Sequence, residues 1–141
     1  MKTRFAIIAA LGVTLQLGSA HSGAAPSAFE CQFTDGGTWS FEQGAFGPVT
    51  SKNLSFTIDQ VAAQTARLRG AKGAKTLKVV RAIDARHFIE VTVAGFLNIT
   101  TIYETSDGDE ATMPAVHSRH LGIVGQPFVS QYRGLCRRAE S

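Results

Sequence analysis

The chain is short of the residues that usually announce a chemistry. Only two of its 141 residues are cysteines, so if both enter a bridge, none remains to ligate a metal or act as a nucleophile. It lacks a Gly-x-Ser-x-Gly elbow and a Ser-x-x-Lys box, which removes two familiar serine-hydrolase signatures. Neither an internal repeat nor a low-complexity segment interrupts it, which excludes repeat architectures and biased linkers. Its longest apolar run, Phe5 to Leu17 with Thr14 and Gln16 inside it, is about 13 residues, where a spanning helix needs about 20.

That run reads as something else. Lys2 and Arg4 precede it and the small residues Gly18-Ser19-Ala20 follow it, the order of a secretory signal peptide over residues 1–20. Cleavage is expected after Ala20, with Ala24 or Ala25 as second choice. No lipid anchor is expected, because the first cysteine, Cys31, follows Ala28-Phe29-Glu30 rather than a small-residue box. The expected location is the periplasm or the secreted fraction. The leader takes two of the 14 basic residues and no acid, leaving twelve against 11 acidic residues, a formal charge of +1 instead of +3. Residues 21–28 are then expected to form a flexible mature N-terminus, 29–137 a single β domain and 138–141 a C-terminal tail.

In an oxidising compartment Cys31 and Cys136 are expected to pair. Phe29, Cys31 and Phe33 alternate with polar residues, Asp35-Gly36-Gly37 suggests a hairpin turn, and Trp39 and Phe41 resume the alternation. Residues 43–48 look like a loop. Leu54, Phe56 and Ile58 mark another half-buried strand. Residues 59–66 are ambiguous between a short helix capped by Asp59 and a strand; the turn at 70–73 and the β-branched stretch 76–83 favour a strand over 65–69. Further strands are expected over 86–93, 96–104, 113–123 and 128–136, with an acidic turn at Ser106-Asp107-Gly108-Asp109. The fold class is all-β: an antiparallel meander of about eight to nine strands closing as a small barrel or two-sheet sandwich. On a period of two both cysteines face the core, so the disulfide joins the first strand to the last. Trp39, Phe41, Phe46 and Tyr103 are expected in that core.

The most polar strand-like piece is Pro114-Ala115-Val116-His117-Ser118-Arg119-His120. His117 and His120 would share a face on a helix, but on a strand an odd offset parts them, and His87 and Glu90 are parted likewise. No metal, cofactor or catalytic residue is therefore assigned. One expectation is structural: Arg119 pairs with Glu90 or Glu104 while a histidine hydrogen-bonds locally. The other is functional: His117, Arg119, His120, His87 and Glu90 contribute to a polar or anionic ligand site at the mouth of a barrel. The basic run Arg67, Arg69, Lys72, Lys75, Lys78, Arg81 and Arg86 suggests either charged hairpin surfaces or a patch for an anionic partner. Nucleic acid does not fit, for want of interleaved aromatics.

The Pro114–His120 stretch, with Gly125, Ser130-Gln131-Tyr132-Arg133-Gly134-Leu135-Cys136, Phe88-Ile89-Glu90 and Thr100-Thr101-Ile102, resembles short, uncharacterised exported proteins of alphaproteobacteria. That resemblance implies a periplasmic or secreted location and no activity. In size and strand count the domain is also similar to periplasmic lysozyme inhibitors and other small eight-stranded barrels, a likeness of fold alone. The reading is thus a non-enzymatic exported domain binding an envelope protein or a small ligand. Its rivals are a small hydrolase or metal-dependent enzyme using His117 and His120, and an envelope structural or stress protein without a ligand. An apolar cavity would favour a small ligand; a filled interior with exposed aromatics would favour a protein.

Overall fold

The computed structural model describes residues 27–104, 111–123 and 125–139. The expected leader and the acidic turn at 106–109 lie outside them. Nine antiparallel strands follow in order: β1 (Ser27–Glu42), β2 (Ala45–Val49), β3 (Leu54–Val61), β4 (Thr65–Gly70), β5 (Gly73–Arg81), β6 (Ala85–Val91), β7 (Leu97–Tyr103), β8 (Thr112–Ile123) and β9 (Gln126–Ala139). The sheet runs β2-β1-β3-β4-β5-β6-β7-β8-β9, and β1 also pairs with β9. Eight strands therefore close a barrel, and β2 is an extra strand on the projecting half of β1. Sequence alone left barrel and sandwich open; the β1–β9 ladder decides for the barrel. Ser27 and Ala28, placed with the N-terminal stretch, and Arg138 and Ala139, placed with the tail, belong to β1 and β9.

Closure is covalent as well as hydrogen-bonded. Cys31 and Cys136 sit directly opposite one another in the β1–β9 register and form the expected disulfide. The ambiguous region resolves into β3, which runs to Val61, and β4 from Thr65, with no helix over 59–66. The inward side chains then fill the barrel. Phe29 packs edge-on against Phe88 with ring centroids 5.9 Å apart, Phe33 lies 5.4 Å from Phe56, and Ile58, Leu77, Val79, Ile102 and Met113 complete the core. Each such side chain contributes about 1.5–3 kcal/mol through its burial.

Two expectations fail in β1. Asp35-Gly36-Gly37 is no hairpin turn, because β1 passes straight through it, paired with β9 throughout. The chain reverses instead at Gln43-Gly44, where both φ angles are positive (52° and 84°), the signature of a two-residue hairpin turn. The expected loop at 43–48 is thus that turn plus most of β2. The two glycines answer to crowding: a Cβ on Gly36 would lie 2.6 Å from the Tyr132 ring, and one on Gly37 2.5 Å from the Trp39 indole.

A register shift between Phe33 and Asp35 also inserts an extra residue and exchanges the two faces of β1 beyond it. Thr38 now faces in, and Trp39 faces out. Trp39 is accordingly 38% and Phe46 54% exposed, and Tyr103 is exposed as well, which corrects their expected place in the core. Phe41 is half-buried, edge-on against Phe46.

Candidate functional site

Strand alternation sorts the five candidate ligand residues by face. His117, Arg119 and Glu90 point inward on β8 and β6, in phase with the buried Ala115 and Phe88. His120 is exposed on the outer face, and His87 faces out, where its Nδ1 lies 3.0 Å from Thr101 Oγ1. His117 and His120 therefore lie on opposite faces and do not converge. Among the described residues no three His, Cys, Asp or Glu side chains gather as a metal site.

The inward three share one end of the barrel. Across the sheet Thr100 opposes His117, and His117 opposes Tyr132; one level higher Asn98 opposes Arg119, and Arg119 opposes Ser130. Asn98 is also opposite Glu90 on β6. Glu90, 8% exposed, takes an ion pair from Lys75 at 2.7 Å and a hydrogen bond from Asn98 Nδ2 at 2.8 Å. Burial alone would raise its pKa, but the Lys75 and Asn98 contacts outweigh that and hold it below the usual value.

His117 is 3% exposed and caged by aromatic rings. Arg119 Nε–H donates to its Nε2 at 3.1 Å, so the other ring nitrogen carries the proton and Nδ1–H donates to Thr100 Oγ1 at 2.9 Å. Burial, then the neighbouring Arg119, push its pKa down from 6.5 to about 4. At neutral pH it is an uncharged acceptor.

Arg119 is the consequence of this arrangement. Its Nε is held by a neutral histidine, and its guanidinium carbon lies 5.8 Å from the Tyr132 ring centroid, a cation–π contact. Its terminal nitrogens make no hydrogen bond, and no carboxylate lies within 4.0 Å of it, among the described residues. The expected pairing with Glu90 or Glu104 is not found. Lys75 and Asn98 engage Glu90, while Arg86 (2.9 Å) and Arg138 (3.5 Å) engage Glu104. Sequence reasoning missed Asn98, Thr100 and Tyr132. Only the register reveals them, since none carries a signal at a distance in sequence.

The basic run does not form one surface. Arg67 and Arg69 bracket Asp59 on the outer face, Lys75 reaches Glu90, and Arg86 turns inward to Glu104. Among the described residues, one apolar depression is lined by Trp39, Phe46 and Val129, and another concavity lies across β4, β5 and β6.

No family model matches the chain, and no curated protein matches it either.

Proposed function

We propose that the mature protein is an exported, non-enzymatic binding barrel that receives the anionic group of its ligand at Arg119. One observation carries the reading. Arg119 is an inward-facing cation at a barrel mouth, oriented on one side by an uncharged hydrogen-bond acceptor and on its face by an aromatic ring. No described acid lies close enough to neutralise it, which leaves its two terminal amino groups for the forked recognition of a carboxylate or phosphate. Export is supported by the leader pattern and by the disulfide, which suits an oxidising compartment.

The test is to titrate sodium acetate and inorganic phosphate into the mature, oxidised protein and follow the Arg119 Nε–H resonance by NMR. A saturable shift is expected. Arg119→Gln should weaken anion binding by about tenfold or more, the worth of a charge-assisted hydrogen bond. An unchanged affinity in that variant, or no shift in the parent protein, would sink the reading.

A further inference from the structure

Beneath Arg119 the barrel is full. His117 fills the level below, its ring 5.8 Å from Phe33, 5.2 Å from Phe56 and 6.3 Å from Tyr132 between centroids. A ligand group that touches Arg119 can enter only about one residue deep, and the remainder of the ligand lies above the mouth.

Strand lengths decide what it meets there. Pairing of β7 with β8 stops at Leu97 opposite His120, and β3 accompanies β1 only as far as Leu54 opposite Phe33. By contrast β1, β8 and β9 continue together to the level where Ser40 opposes Phe128 and Phe128 opposes Leu121. This extension rises past the mouth as a wall. On the face continuous with Arg119, Ser130 and Thr38 it carries Leu121 and Phe128, both half-buried, and Val49, 40% exposed, opposite Thr38 on β2. Above Arg119, among the residues of that face on β1, β2, β8 and β9, the next formal charge is Glu42 at the tip of β1; Glu90 and Lys75, on β6 and β5, pair with each other. The mouth therefore offers one cation that no described acid neutralises, Arg119, at the foot of an apolar wall, with the Lys75–Glu90 pair elsewhere on its rim.

We propose that the anionic group is the side-chain carboxylate of a protein partner, an Asp or Glu flanked by apolar residues. The carboxylate seats on Arg119 while its apolar neighbours lie on Leu121, Phe128 and Val49. This rests on the anion site proposed above. Charge complementarity selects the acid, and the wall selects its setting: a free small carboxylate satisfies Arg119 but leaves Leu121 and Phe128 facing water.

Two probes separate the sources of the carboxylate. One is glutamate blocked at both ends as its N-acetyl, N-methyl amide; the other is the blocked pentapeptide Gly-Leu-Glu-Phe-Gly. Titrated into the mature oxidised protein and followed by NMR, the pentapeptide should bind at least about tenfold more tightly than blocked glutamate. Its Gln analogue should lose most of that affinity. Phe128→Ala and Leu121→Ala, each confirmed as folded by circular dichroism, should erase the pentapeptide's advantage and leave the binding of blocked glutamate as it was. Equal affinities for the two probes, or an advantage that survives both substitutions, would overturn the protein-partner proposal and leave the anion site standing. Silence with both probes would overturn the anion site and this proposal with it.

Discussion

Arg86 and Arg119 both turn inward from the barrel wall, on opposite sides of the Phe88 layer, and each lies over an aromatic ring: Arg86 over Phe29 at 5.4 Å, Arg119 over Tyr132 at 5.8 Å. At one end Arg86 meets Glu104 at 2.9 Å, with Arg138 on the same carboxylate. At the other, Arg119 meets an uncharged histidine, and the nearby acid is held by Lys75 and Asn98. The first cation is neutralised inside the protein, and the second is only oriented. Desolvation accordingly pushes the Arg86 guanidinium down, with Glu104 opposing it. Such a pairing stiffens an end of the barrel, whereas an oriented but unneutralised cation is a means of holding something from outside.

The disulfide belongs to the Arg86 end, since Cys136 is opposite Met113 on β8, two residues below Ala115 and four below His117. Its loss should be the largest single effect. The bridge closes a separation of 105 residues, for which chain entropy assigns about 4–5 kcal/mol. The Cys31→Ala/Cys136→Ala double variant should therefore lose that much stability by urea denaturation, a large part of the roughly 5–15 kcal/mol a domain possesses. A loss below about 1 kcal/mol would mean that hydrogen bonding and packing alone close β1 onto β9.

Acid should act next, and at the Arg119 end. The folded-state pKa of His117 lies below its ordinary value, about 4 against 6.5, so protons favour the unfolded chain. Above pH 6.5 both states are neutral at this site and nothing changes. As pH falls from 6.5 towards 4 the unfolded state takes up the proton first, and stability should drop by about 3 kcal/mol before levelling off for this group. NMR titration of the His117 ring should show it neutral until close to pH 4. A midpoint near 6.5 would mean that the ring accepts a second cation beside Arg119 at little cost, and the contrast between the two ends would weaken.

Much of this was legible in sequence because strands announce their faces. The alternation at Phe29-Cys31-Phe33 placed both sulfurs inward, and the odd spacing of His117 and His120 parted them, as the structure bears out. What failed depended on one inserted residue. The register shift after Phe33 sends Trp39 and Phe41 to the outer face, and nothing in Thr34-Asp35 marks it. Its trace lies on the opposite strand, where a Cβ on Gly134 would sit 1.9 Å from the Gln32 carbonyl oxygen, so only a glycine permits the approach. The partner of Arg119 was misjudged for a related reason. Charge alone suggests a carboxylate, but the register sets Asn98 opposite Arg119 and puts Glu90 one strand further, within reach of Lys75.

The smallest stability effect is the one that tests the two arginines directly. Arg86→Met removes one partner of a mostly buried ion pair and leaves Glu104, whose side chain is 19% exposed, with Arg138 alone. Breaking a fully buried pair costs about 3–5 kcal/mol, and the remaining partner and partial exposure reduce that to about 2–3. Arg119→Met leaves no buried charge behind. It leaves the buried Nε2 of His117 without its donor while Nδ1 keeps Thr100, so the cost should be about 1–2 kcal/mol. Thermal and urea unfolding of the two variants side by side should separate them by about 1 kcal/mol, with anion binding lost only in the second. Equal destabilisation would mean that Arg119 serves the fold as Arg86 does. A smaller loss at Arg119 than at Arg86 is what a binding site requires, because the interaction that repays the ordering of its guanidinium comes from the ligand.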